Sequence, residues 1–220
     1  TTGLPERLTI PHEVKLSEKA AAMYQQLERT MLLPFADGDV DAATAAILTN
    51  KLLQLAGGAV YDENGKAQIV HNQKLEVLDQ LIEEANGQPV LVFYNYKHEL
   101  DRLQARYPQA VHVKEENVVK RWNAKEIPIL LANPASAGHG LNLQFGGHIA
   151  IWYSPTWNLE FFQQANKRLH RRGQAETVLI HTLSAKGTID ERIYDIVLRN
   201  KEAGQNALLG AVKARIKEVT

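Results

Sequence analysis

Apolar positions in the first third of the chain recur at helical spacing. Ala20, Met23, Leu27 and Met31 form one stripe behind Ser17, a residue suited to cap a helix. Pro34 and Asp37-Gly38-Asp39 break that pattern. Asp41 opens a second one, with Ala45, Leu48, Leu52 and Leu55 in register and Gly57-Gly58 as its stop. Ala59-Val60-Tyr61 and Ala67-Gln68-Ile69-Val70 then flank the turn-forming Asp62-Glu63-Asn64-Gly65, which predicts a small hairpin.

From Asn72 the pattern alternates between helix and strand. Leu75, Leu78 and Ile82 mark a helix ending at Asn86-Gly87. Pro89 to Tyr94 is a continuous apolar strand. Helices are predicted over Lys97 to Tyr107, Glu115 to Ala124 and Asn158 to Arg171. Further strands are predicted over Ala110 to Val113, Pro128 to Ala132, Ile149 to Tyr153 and Thr177 to Leu183. Thr188-Ile189-Asp190-Glu191 reads as a capping box, and Leu208, Val212 and Ile216 mark a last amphipathic helix. Apolar strands separated by helices imply an α/β fold with a mostly parallel sheet covered on both faces. Ligands in such sheets bind beyond the carboxyl ends of the strands, here the loops after Tyr94, Ala132, Tyr153 and Leu183. The expected division is a helical extension with a hairpin over 1–71, an α/β lobe over 72–200 and a brace-like helix over 201–220.

Composition narrows the chemistry. Hydrophobic residues make up 45% of the 220, too many for a disordered chain. With no Cys, thiolate metal sites, disulfides and Cys nucleophiles are excluded. Lys plus Arg equals Asp plus Glu at 25 each, so any attraction to nucleic acid must be local. No run is long and apolar enough to span a bilayer, and no membrane partner is expected. Residues 1–7 lack the order of a signal peptide, so a cytoplasmic location, in bacteria or a phage-infected host, is the expectation.

Two clusters stand out. From Gln163 to Gln174, five of twelve residues are Lys, Arg or His. On the predicted helix, Gln164, Arg168 and Arg171 share one face, with Gly173 as the stop. Two guanidiniums aimed alike suit phosphate recognition, and a solvated basic face is the alternative. The second cluster is Asn133-Pro134-Ala135-Ser136-Ala137-Gly138-His139-Gly140-Leu141-Asn142-Leu143, after a buried strand. Its small residues let backbone amides approach a phosphate, and an ordinary connection is the alternative.

Together these clusters resemble the second helicase lobe of the Swi/Snf-related, superfamily-two DNA-dependent ATPases. Ala137-Gly138-His139-Gly140-Leu141-Asn142-Leu143 resembles that family's motif five. Gln164-Ala165-x-x-Arg168-x-His170-Arg171-x-Gly173-Gln174 resembles its motif six. Trp157-Asn158 stands where the family has Trp-Asn-Pro, and Pro89 to Tyr94 resembles motif four. The Leu-Asn-Leu-Gln and Gln-Gln-Ala-Asn-Lys-Arg-Leu-His variants are most similar to the compact bacteriophage and prophage versions. The resemblance implies a RecA-like three-layer lobe. It implies that Arg168 and Arg171 are arginine fingers for ATP, supported by Gln164, His170, Gln174, Gly140 and Asn142. It implies a double-stranded DNA partner touched by Asn133, Ser136, Ala137, Gly138, His139 and Trp157. Ser154 departs from the Asp common before the Trp-Asn pair, Leu159 from the Pro after it, and Ala135-Ser136-Ala137 from Arg-Ala-Gly.

No Gly-x-x-x-x-Gly-Lys-Ser/Thr phosphate loop occurs, and Asp62-Glu63 reads as a hairpin turn rather than a magnesium box. The expectation is therefore a fragment that lacks the ATP- and Mg2+-holding first lobe, its partner within the same protein, and that is inactive alone. Among the histidines no zinc spacing occurs; His12-Glu13 and His98-Glu99 lack a second His four positions on. His181 is expected as a packed or edge residue, and Trp122 and Trp152 as packing. His170 either bridges to the nucleotide or covers its helix. Two other functions remain open: an RNA helicase lobe of the DEAD-box kind, against which Gln174 argues, and a non-catalytic nucleic-acid-binding module, against which Arg168 and Arg171 argue.

Overall fold

A computed structural model describes residues 3–138, 140–199 and 205–220. Its elements in chain order are β1 (Arg7–Val14), α1 (Glu18–Leu32), α2 (Ala42–Gly57), β2 (Ala59–Tyr61), β3 (Ala67–Ile69), α3 (Gln73–Glu84), β4 (Val90–Phe93), α4 (Lys97–Arg106), β5 (Val111–His112), α5 (Val118–Asn123), β6 (Ile129–Ala132), β7 (Ile149–Trp152), α6 (Leu159–Asn166), β8 (Val178–Ala185), α7 (Ile189–Leu198) and α8 (Gln205–Val219). Short 3-10 turns occupy Leu33–Phe35 and Ser136–Gly138. Contacts divide the chain into two units. One holds the residues up to His12, Leu75–Thr156 and Glu160–Leu183; the other holds Glu13–Lys74, Trp157–Leu159 and the chain from Ser184.

The first unit is built on a six-stranded sheet in the order β1-β8-β7-β4-β6-β5. Val90 pairs with Ile129 on one side and Ile149 on the other, and both ladders are parallel. Every residue of β4, β6 and β7 is buried, which is why these segments read as unbroken apolar runs. Trp152 packs, with tilted rings, between Phe93 and Phe162 at ring distances of 4.5 and 4.7 Å. Trp122 is fully buried and donates to the Leu143 carbonyl at 2.7 Å. The sheet is parallel throughout and flanked by helices, a RecA-like fold.

In the sheet unit, three elements differ in extent from their sequence pattern. β1 was not predicted. Its Leu8 is exposed and Pro11 interrupts it, a composition that only an edge strand tolerates. The Val178 amide donates to the Glu6 carbonyl at 2.9 Å and ties this strand parallel to β8. α5 starts at Val118 rather than Glu115, because Asn117 takes a left-handed conformation with φ 57°. α6 ends at Asn166 rather than Arg171. The Asn166 side chain is buried and accepts from Trp152 Nε1 at 2.9 Å, and the chain beyond it tightens into turns. Gly173, with φ 94°, completes that reversal, and a Cβ there would press on the Phe145 ring at 3.0 Å.

The second unit is mostly helical. Ser17 caps α1 through the Ala20 amide and Asp41 caps α2 through the Thr44 amide. Gly58, at φ 110°, stops α2, and β2 pairs antiparallel with β3. The buried face of α1 is not the apolar stripe: Met23 and Leu27 are exposed, whereas Ala20, Tyr24, Glu28 and Leu32 are buried. Glu28 accepts from Tyr24 Oη at 3.0 Å and from Arg215 of α8, so its charge is matched inside. Lys74 and Asp190 form a second buried pair at 2.6 Å. Thr188 caps α7 through the Asp190 amide, and Glu191 reaches the Gly187 amide instead of closing the predicted box on Thr188. Among the described residues no helix is long and apolar enough to cross a membrane.

Candidate functional site

At the carboxyl ends of β4, β6 and β7 the chain forms a buried polar knot. Asn95 Nδ2 donates to the Ser154 carbonyl, Ser154 Oγ and the Pro155 carbonyl at 3.2, 3.0 and 2.8 Å. Ser154 Oγ donates in turn to the Glu99 carboxylate at 2.8 Å, and the Tyr96 amide also reaches Glu99. Glu99 and Ser154 are fully buried. Asn133 joins from β6: its Nδ2 donates to the Asn95 carbonyl at 3.2 Å and its Oδ1 accepts from the Ala135 amide at 3.0 Å. The knot explains the Ser154 departure, since an aspartate there would face a buried carboxylate. It also commits the Asn133 side chain to shaping the loop.

Beyond Asn133 the loop winds into the Ser136–Gly138 turn, with Ala137 buried and Ser136 half-buried. Gly140 is exposed at φ 68° with open space around it. Gly140 is therefore accessible along the backbone, the geometry a phosphate needs, whereas the Ala135 amide is taken by Asn133 Oδ1. His139 lies outside the described residues. Trp157 belongs to the helical unit, where its Nε1 donates to Asn50 Oδ1 of α2 at 3.4 Å.

The turns after α6 border a cavity of about 720 Å³ within the sheet unit. Arg7, Lys167, Arg168, Arg171 and Arg172 line it together with Gln164, and no carboxylate does. In a chain of zero net charge this is a concentrated positive field, suited to an anion. Arg168 is largely buried; burial first, then the like charge of Arg171, holds its pKa below the usual arginine value. Arg171 Nη1 donates to Asn142 Oδ1, joining the end of the glycine-containing loop to the arginine cluster. The two arginines thus face one cavity from a turn rather than from one helix face.

Gln164, Asn142 and His170 also border this cavity. Gln174 does not: its Nε2 donates to the Gly147 and Leu169 carbonyls at 2.9 and 3.2 Å, and its Oε1 accepts from the Glu176 amide. Gly140 does not line it either. Sequence spacing alone missed Arg7, which arrives on the unpredicted β1, and the Asn95–Glu99–Ser154 knot, whose Ser154 lies 55 residues beyond Glu99. Among the described residues no group of three or more His, Asp or Glu side chains gathers to hold a metal ion.

Comparison with known proteins gives this geometry its context. Residues 73–173 match the helicase conserved C-terminal domain. Protein p41 of Acyrthosiphon pisum secondary endosymbiont phage 1 is 39% identical over 210 residues, 92% of this chain and 45% of that protein. The chromatin-remodeling ATPase INO80 of Mycosarcoma maydis is 33% identical over 156 residues, 64% of this chain and 8% of that protein. The chain thus spans less than half the length of these relatives. In fold it matches the C-terminal part of the Fun30 ATPase domain, with a TM-score of 0.72, 18% identity, and 98% and 99% of the two chains covered. It also matches the Sulfolobus solfataricus SWI2/SNF2 ATPase core in complex with double-stranded DNA, with a TM-score of 0.68, 19% identity, and 97% and 48% covered. With the two motif-bearing loops joined at Arg171 and Asn142 on a parallel sheet of this kind, the chain carries a helicase conserved C-terminal domain and shares the fold of SWI2/SNF2 ATPase cores.

Proposed function

We propose that this lobe is the second half of a DNA-dependent ATPase motor that couples ATP hydrolysis to movement on double-stranded DNA. The observation that carries the reading is the Arg168–Arg171 cavity, free of carboxylates and hydrogen-bonded through Asn142 to the loop that follows β6. Phosphoryl transfer needs positive charge against the γ-phosphate, and a well-placed arginine contributes about 10³–10⁵-fold. Arg171 and Arg168 supply that charge, and Gln164 orients it. The ATP and the Mg2+ that neutralises its phosphates are held by a first RecA-like lobe of the complete protein. The loop from Ser136 to Gly140 meets the DNA phosphates without reading sequence. The Arg171–Asn142 bond is the link through which lobe closure on ATP changes the grip on DNA. The likeness to INO80, a chromatin-remodeling ATPase, and to the Sulfolobus solfataricus core in complex with double-stranded DNA supports this reading.

The test is ATP turnover by the complete protein with and without duplex DNA, for wild type and Arg171→Ala. Duplex DNA raises wild-type turnover more than RNA does, and Arg171→Ala lowers it about 10³-fold while ATP still binds. The 220-residue chain alone turns over no ATP. Turnover indifferent to Arg171 overturns the finger role, and stimulation by RNA in place of DNA favours the RNA helicase reading.

A further inference from the structure

The cavity has a wall that no motif supplies. Leu4 and Arg7 border it, although they lie far along the chain from the arginine cluster. His170, the histidine within that cluster, donates from Nε2 to the Pro5 carbonyl at 2.9 Å. One residue on, the Glu6 carbonyl accepts from the Val178 amide at 2.9 Å. Consecutive peptide units are thus fastened, one to the arginine-bearing turn and one to β8. Arg7 follows directly. It is exposed and makes no ion pair among the described residues. An exposed, unpaired guanidinium on the rim of a cavity without carboxylates is held in a field of its own sign. That arrangement is unfavourable by itself and is relieved when a polyanion enters.

We infer that β1 supplies a further cation, Arg7, to a phosphate-binding cavity, and that His170 is the positioning residue that keeps it there. The inference rests on the reading of this cavity as the seat of a nucleotide's phosphates. It separates two kinds of residue: Arg171 meets the phosphates from within the motif, whereas His170 acts through the strand it fastens. The ligand class is a polyphosphate, which presents several anionic oxygens to cations converging from different elements.

The test is calorimetric titration of inorganic tripolyphosphate into the 220-residue chain, at fixed salt. Arg7→Gln weakens binding about threefold to fivefold, as expected for one partly solvated charge contact. Lys97→Gln, a charge-matched change on α4 outside the cavity, leaves binding unchanged. His170→Leu produces a loss like that of Arg7→Gln, His170→Gln restores most of it by keeping a donor for the Pro5 carbonyl, and His170→Leu adds little on an Arg7→Gln background. Arg7→Gln indistinguishable from Lys97→Gln, with Arg171→Gln weakening binding, overturns the inference and leaves the cavity reading standing. Fully additive losses from Arg7→Gln and His170→Leu overturn the positioning role of His170. A wild-type chain that takes up no tripolyphosphate overturns the inference, whereas the reading beneath it falls only if turnover by the complete protein is indifferent to Arg171.

Discussion

Ser154 is a small residue with a large constraint. Its hydroxyl sits between the Asn95 amide and the Glu99 carboxylate, and none of the three can change alone. Ser154→Asp places a second carboxylate against a buried one and is expected to destabilise the lobe by about 3 kcal/mol or more. Adding Glu99→Gln removes the like-charge clash and is expected to recover part of the loss. Chemical denaturation of the two variants checks this. The same scale explains what sequence could give of the site. Arg168, Arg171, Gln164 and Asn142 were legible because they fall in two short runs, and the fold brings them to one cavity. Gln174 sits in the same run, yet its amide is fully occupied by backbone groups. Spacing cannot distinguish a side chain that meets a ligand from one that secures a turn.

At the scale of elements, burial of the strands was legible and the choice of helix faces was not. β4, β6 and β7 announce themselves as unbroken apolar runs because both their faces are covered. α1 misleads because Glu28 and Tyr24 are inside and Met23 and Leu27 outside; the partner that makes this possible, Arg215, lies 187 residues away. The end of α6 was hidden for a similar reason, since Asn166 is held by Trp152 from a neighbouring strand. Such long-range partners override local propensity. β1 and β8 share a further contact, His12 Nε2 to His181 Nδ1 at 2.8 Å with the rings stacked. Burial first, then the charge of His12, lowers the His181 pKa to about 4. Burial also lowers that of His12, against the opposing carboxylate of Glu84. His98, lowered to about 4 by burial and then Arg102, acts in the same direction. Between about pH 6.5 and 4 the unfolded chain binds protons that the folded pair refuses, so stability falls as pH falls through that window. Thermal unfolding from pH 7 to 4.5 is expected to show a declining midpoint, with a shallower decline in His181→Asn, which cannot titrate.

For the whole molecule, zero net charge conceals a strongly one-signed cavity. Binding of a polyphosphate is therefore expected to weaken steeply as salt rises, although the chain carries no excess charge to attract anions from a distance. Tripolyphosphate titrations at 50 and 300 mM salt measure this, and a salt-independent affinity would count against a charge-driven site. Breaking the Lys74–Asp190 pair is a stability question for the helical unit. Both side chains are fully buried, and burial raises the Asp190 pKa against the pull of Lys74. Lys74→Met leaves a carboxylate without its cation and is expected to cost about 3–5 kcal/mol. Lys74→Met with Asp190→Leu is expected to restore most of that, as denaturant midpoints would register.

The pairing of β1 with β8 has a consequence for the order in which the sheet can be made. His12 leaves the ribosome 169 residues before His181, its hydrogen-bond partner. β8 lies between β1 and β7 in the sheet, so β1 has no place to dock in this sheet until β8, its last strand along the chain, appears. During that interval β7, whose four residues are all buried in the finished lobe, is an uncovered apolar margin. A gene fragment trimmed to the family-matched residues 73–173 would make that interval permanent, since it encodes neither β1 nor β8. Such a fragment is expected to emerge from translation as aggregate, whereas one that runs from β1 through α8 can close its sheet.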